Sequence, residues 1–161
     1  MNRSTTVAFT GHRTYRGEAD DRLYEVVQQL YAAGFRTFLS GMATGFDLSA
    51  AEAVLALRSR LPEIRLVAVV PFAGQGDRLS AAERSRYERV VAEADERVVL
   101  AASFYKGCYQ VRNRYLVDHA AAVVAWYDGS AGGTRQTFLM ALHRGLKVEN
   151  LGSIIPERTL F

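Results

Sequence analysis

Six short apolar runs alternate with stretches of helical periodicity along nearly the whole of this sequence. The runs are residues 6–10, 37–40, 64–70, 97–100, 122–127 and 147–151. Several are unbroken in Val, Ala, Leu and Phe, the pattern of strands buried on both faces. Strands that alternate strictly with helices cannot pair as hairpins. They build a mostly parallel sheet, with each crossover helix packed on one face or the other. The predicted architecture is therefore an α/β, doubly wound, Rossmann-like fold of about six strands with helices on both faces. No linker, repeat or low-complexity tract interrupts it, so residues 1–161 read as one domain, a length that suits a full core.

The helices carry their own punctuation. Within 18–33, Leu23, Val26, Val27, Leu30 and Tyr31 fall on one face, and Gly34 follows as a stop. An Ala-rich helix covers 48–57. Ser80 and Glu83 have the spacing of a capping box ahead of Tyr87, Val90 and Val91. Val111, Tyr115 and Leu116 mark a helix running to about Ala121, and Phe138, Leu139 and Leu142 mark the last, which ends at Gly145.

In such sheets ligands bind beyond the carboxyl ends of the strands, which makes every loop after a strand a candidate. Two of these loops are glycine corners. Ser40-Gly41-Met42-Ala43-Thr44-Gly45-Phe46-Asp47 turns from the second strand into a helix, and Asp128-Gly129-Ser130-Ala131-Gly132-Gly133-Thr134 does so after the fifth. A strand turning through glycine into a helix leaves N-terminal N–H groups open to a phosphate or carboxylate. The first strand ends in Gly11-His12-Arg13, where Arg13 suits a phosphate clamp; the plain alternative is a turn with a solvated arginine. Asp47, at a helix start, serves as a cap, as a ligand-hydroxyl acceptor, or as both. Tyr105-Lys106-Gly107-Cys108-Tyr109-Gln110-Val111-Arg112-Asn113-Arg114 gathers cations and tyrosines at another helix start, for an anion and a base or simply for solvent. Phe72 or Tyr105 is placed to cover a base, and 72–79, with Gly74, Gln75 and Gly76, reads as a mobile flap. The tail from Gly152 to Phe161 is expected to pack on the body or on another subunit.

Other chemistries find less support. G-x-G-x-x-G and Walker A patterns are absent. Three histidines and one cysteine show no ligand spacing for a metal. Cys108 has no paired base named by sequence, and a Ser40–His12–Asp47 triad has nothing to set its geometry. With a single cysteine, no visible leader and no long apolar run, the chain is expected in the cytoplasm, off the membrane. Net charge is +3, with only two lysines among 20 basic residues, too slight a surplus to argue for nucleic acid.

Taken together, Gly11-His12-Arg13, the 40–47 corner, Pro71-Phe72, Arg86-Tyr87, Tyr105, Arg112-Asn113, Asp118 and Gly132-Gly133-Thr134 resemble the SLOG superfamily, most closely its YpsA-like subgroup of bacterial proteins. The resemblance spans about residues 5–151. More distantly, the chain resembles the DNA-processing Smf (DprA) proteins through its glycine-x-arginine turn, its serine-glycine-x-alanine-x-glycine-x-aspartate turn and Arg112-Asn113-Arg114. It is also related to the LOG phosphoribohydrolases, whose proline-glycine-glycine-x-glycine-threonine loop is followed by a glutamate. Here the proline is missing, and Arg135-Gln136-Thr137 follows Thr134 with no carboxylate.

The resemblance implies a nucleotide-type ligand at the strand ends, held by Gly11, His12, Arg13, Ser40, Gly41, Ala43, Gly45, Asp47, Tyr105, Arg112, Asn113, Gly132, Gly133 and Thr134. It implies a sensor, or an enzyme whose reaction is unassigned. The expected partner is a nucleotide or an ADP-ribose-like small molecule, with no required cofactor and no metal, and a homo-oligomer is compatible with it. A Smf-type single-stranded DNA-binding module is the runner-up. A nucleotide N-glycosidase drawing its acid from Asp47 is the third reading.

Overall fold

A computed structural model describes residues 1–154. The chain order is β1 (Thr6–Gly11), α1 (Asp20–Ala32), β2 (Thr37–Ser40), α2 (Phe46–Leu57), β3 (Arg65–Val70), α3 (Ala81–Glu93), β4 (Glu96–Val99), α4 (Cys108–Asp118), β5 (Ala122–Trp126), α5 (Gly133–His143) and β6 (Lys147–Asn150). All six strands are parallel and lie in the order β4-β3-β2-β1-β5-β6. The doubly wound α/β expectation holds, with no antiparallel member among the described strands.

The period-2 alternation of each strand splits the core in two. Val7, Phe9, Phe38, Leu66 and Val124 face a layer made by α1, α2 and α3, where Leu23, Val27, Phe46, Leu48, Val54 and Val90 are buried. Ala8, Leu39, Val67, Val69, Val123 and Ala125 face α4 and α5, through Leu116, Val117 and Ala141. Burying such side chains is worth roughly 1.5–3 kcal/mol each for the larger ones. That term holds the sheet rigid beneath its loops. None of the described helices is long and apolar enough to cross a membrane.

Most element boundaries differ from the sequence expectation by one to three residues, and side chains explain some of the differences. α1 begins at Asp20 rather than near Glu18. Before it, the Tyr15 hydroxyl accepts the Ala19 N–H at 3.1 Å and donates to Asp20 Oδ1 at 2.5 Å, which fixes a turn in place of a first helical turn. β5 stops at Trp126 because the next amide, that of Tyr127, donates to Asn150 Oδ1 instead of to a strand. The expected cap at Ser80 is present, its hydroxyl accepting the Glu83 N–H. In the tail, the Gly152 N–H donates to Asn150 Oδ1; residues 155–161 of that segment lie outside the described residues.

The topology fixes where a ligand can sit. From β1 the chain winds outward through β2, β3 and β4, then returns to lay β5 on the other side of β1. The loops after β1 and β5 therefore diverge, which makes this the switch point of the sheet.

Candidate functional site

At the switch point, Gly11 pairs with Trp126 at the last register position of β1 and β5. His12 follows, half-buried. Its Nε2 lies 3.1 Å from the Asp128 backbone nitrogen and 2.9 Å from Asp128 Oδ1, so it accepts from the amide or donates to the carboxylate according to its tautomer. Asp128 Oδ1 also takes the Ser130 N–H and hydroxyl, shaping the start of the second corner. The loops after β1 and β5 are thus tied together. Arg13, next in the chain, is exposed at this rim.

The two glycine corners are not equivalent. In the first, Gly45 has φ +85, and a side chain there would strike the His12 carbonyl oxygen and the Arg13 backbone at 2.6–2.7 Å. The Phe46 N–H donates to the His12 carbonyl. A side chain on Gly41 would strike Arg112 Cδ at 2.7 Å and Nη1 at 2.9 Å. Both glycines therefore admit neighbouring protein, where the sequence reading had them leave room for a ligand. Between them Met42, wholly buried, takes the left-handed φ of 63. It is held there by the Ser40 hydroxyl, which accepts the Met42 N–H and donates to the Asp47 carbonyl at 2.8 Å. A buried non-glycine residue in that region stores strain. Ser40 is thereby fully used as a brace, and with His12 turned to Asp128 no Ser–His–Asp relay forms.

The second corner is open. Nothing lies within 4 Å of where a side chain on Gly132 would stand, and Gly133 and Gly132 are exposed. No side chain caps the N-terminus of α5. Its nearest neighbour is the Asn113 amide, 3.5 Å from a side-chain position on Gly133. Thr134 and Thr137 are buried behind it, the latter bonding back to the Gly133 carbonyl.

Arg112 joins the corners. It is 6% exposed, at the first full turn of α4. Nη1 donates to the Gly41 carbonyl at 2.5 Å and Nε to Asn113 Oδ1 at 2.8 Å, while Nη2 has no hydrogen bond to a described residue. Burial pushes its pKa down, and the Asp47 carboxylate pulls it back up. Asp47 is the opposite case. Burial raises its pKa to about 7, and Arg112 and the Gly11 and Ala43 amides offset only part of the rise. Among the described residues its Oδ1 is the one buried side-chain polar atom without a hydrogen-bond partner. Ala43 and Thr44 are half-buried at the lip of this corner.

Two elements escaped the sequence reading. Residues 72–79 are not a loose flap. Gln75 is buried, its Nε2 reaches the Gly41 carbonyl at 3.5 Å, and its Oε1 accepts the Tyr87 hydroxyl at 3.0 Å. Phe72 is 3% exposed and so cannot itself cover a ligand, whereas Phe104 and Tyr109 stand over it. The glycines flanking Gln75 were its only sequence signal. Tyr105, 44% exposed, is on the loop before α4. Cys108 is buried. No group of three metal-ligating side chains occurs among the described residues.

Comparison with known proteins places this chain in a family. A model of the YspA SLOG family matches residues 19–151. The SPbeta prophage-derived protein YoqJ of Bacillus subtilis is 32% identical over 128 residues, 71% of this chain and 75% of that one. Among solved structures, the DNA processing protein A of Helicobacter pylori, described for its single-stranded DNA binding mode, superposes with a TM-score of 0.66 at 18% identity. That match covers 89% of this chain but 63% of the other, so the chain spans less than two thirds of that protein. The molybdenum cofactor binding protein of Rippkaea orientalis gives a TM-score of 0.57 at 17% identity, covering 91% and 75% of the two chains. At these identities both structures speak to the fold alone.

Proposed function

The chain belongs to the YspA SLOG family, and from that premise we propose that it binds a nucleotide or nucleotide-derived small molecule at the carboxyl edge of its sheet. Arg112 carries this reading. A buried guanidinium normally meets a carboxylate in a bidentate pair. This one is spent on a backbone carbonyl and an amide oxygen, with Nη2 left over. The one nearby acid, Asp47, is held toward its neutral form by burial near pH 7. Arg112 is therefore short of a counter-charge, and a phosphate supplies it. The open α5 N-terminus offers backbone donors for the same group, and Arg13 stands at the rim for a second contact.

Single-stranded DNA is the second reading, favoured by the superposition on DNA processing protein A. A DNA track needs a continuous run of cations. Here several are consumed by acids: Arg84 by Asp77, Arg86 by Glu52 and Arg89 by Glu93. A small anion needs no such run.

The test is a thermal-shift panel of AMP, ADP-ribose, NAD and cyclic nucleotides, followed by calorimetry on whichever stabilises the protein. Stabilisation by at least one, reduced in Arg13→Ala, is the expected result. No shift with any of them, alongside tight binding of a short single strand, would replace this reading with the second.

A further inference from the structure

Three aromatic rings cluster together, one of them beside Arg112, and the phosphate reading gives them no task. Phe72, at the end of β3, is the buried floor. Phe104 packs on it edge to face at 5.5 Å between centroids, and Tyr109 at 6.1 Å. Phe104 and Tyr109 themselves lie 6.1 Å apart at 55°. Both remain open to solvent, at 45% and 38%. Arg78, carried in by the turn Gln75–Arg78, sets its guanidinium 4.2 Å from the Phe104 centroid, and it has no ion pair with a described residue.

Exposed rings on a rigid floor lose surface energy that a monomeric fold would normally recover by burying them. Their position says what would recover it. Tyr109 lies 5.6 Å from the Arg112 guanidinium, and Arg112 is bonded to Asn113, which faces Gly133 at the open corner. The path leads from the open corner past Asn113 to a cation, Arg112, and from it to a π-surface. A ligand that is an anion at one end and a flat, polarisable ring at the other matches it. A guanidinium over the ring adds a second flat face, since arginine stacks on aromatic planes and on bases alike.

We propose that Phe104, Tyr109 and Arg78 form the base-stacking platform of this site, and that its ligand is a nucleotide whose purine ring lies on Phe104. The proposal rests on the nucleotide reading above and deepens it. It also moves the base from Phe72, which is covered, to the rings that cover it. Phe104 is exposed and on a loop, so its removal leaves the core intact.

The experiment is calorimetry of AMP, ADP-ribose and ribose 5-phosphate against the wild-type protein and the Phe104→Ala and Arg78→Gln variants, with a short oligodeoxythymidylate as a fourth probe. Stacking is worth about 5- to 140-fold in affinity for one base. AMP or ADP-ribose should bind the wild type at least tenfold tighter than ribose 5-phosphate, and Phe104→Ala should remove that advantage while leaving ribose 5-phosphate unchanged. Equal binding of AMP, ADP-ribose and ribose 5-phosphate, insensitive to Phe104→Ala, would overturn the platform and leave the nucleotide-phosphate reading standing. Binding of the oligonucleotide alone, lost in Phe104→Ala, would assign the rings to nucleic acid and overturn both. No binding by any probe would also overturn both.

Discussion

The guanidinium of Arg112 occupies the space that a side chain on Gly41 would fill, and it donates to the Gly41 carbonyl at 2.5 Å. A residue of α4 and a residue of the β2 loop are thereby made one structure. Gly41→Ala forces the two apart. Overpacking of this kind costs about 1–3 kcal/mol, and the displaced guanidinium leaves its seat between the corners. Denaturant unfolding should show that loss, and calorimetry should show a parallel fall in affinity for whichever nucleotide the protein takes. Wild-type stability in Gly41→Ala would mean that Arg112 yields freely and is no fixed part of the site.

Asp47 predicts an unusual pH profile. Its folded pKa is raised from 3.8 to about 7. Below about pH 4 the group is protonated in both states, and its contribution to stability is complete. Between about pH 4 and 7 the folded protein holds a proton that the unfolded chain has released, so stability falls as pH rises. Above about pH 7 the loss is complete. Asp47→Asn lacks this slope. The difference in unfolding free energy between variant and wild type should grow in the variant's favour from pH 5 to pH 8. Parallel curves would show that Asp47 is ionised throughout and paired with Arg112.

Arg13→Ala and Gly133→Asp address the rim and the open corner from opposite directions. The first removes an attractive charge, the second adds bulk and a like charge beside the Asn113 amide. Each should weaken nucleotide binding roughly tenfold to hundredfold, the usual worth of a charged hydrogen bond, with melting temperatures close to wild type. Unchanged affinity in both folded variants would mean that the anion sits elsewhere.

Release of free base from AMP or its modified forms should be slow. No carboxylate follows Thr134 where the phosphoribohydrolases carry theirs, and Asp47 Oδ1 is shut away from solvent. Chromatography of long incubations measures it; rapid turnover abolished by Asp47→Asn would make Asp47 the missing acid.

Single-stranded DNA should bind weakly, with affinity falling steeply as salt rises, because phosphate neutralisation dominates such binding and the surplus charge is +3. Submicromolar affinity for a short strand at physiological salt, read by fluorescence anisotropy, would reverse the ranking of the two functions.

Local signals were legible and distant ones were not. The run 37–40 marks β2 to the residue, and Ser80 with Glu83 marks the start of α3, because period and capping depend on neighbours in the chain. The corners were visible as glycine patterns. Their difference was not, since what fills the first corner is Arg112, far along the chain, and the backbone of Arg13. The helix start at Arg112 has a solvated look in sequence, yet Arg112 and Asn113 are buried against loops of other strands. Gln75 is similar. Its partners, the Gly41 carbonyl and Tyr87, belong to two other elements, and only the fold brings them to it.

The strand order carries a consequence for how the site arises in time. β1 pairs with β2 through a local crossover, but its other neighbour, β5, comes late in the chain, and Val7 pairs with Ala122 across the span of chain that lays β2, β3 and β4 on the opposite side. Non-local pairings of this kind are the slow ones. His12 and Asp128 flank that non-local seam. The strand-end edge is complete only once this seam is shut, so on the nucleotide reading proposed above, binding would report a finished sheet.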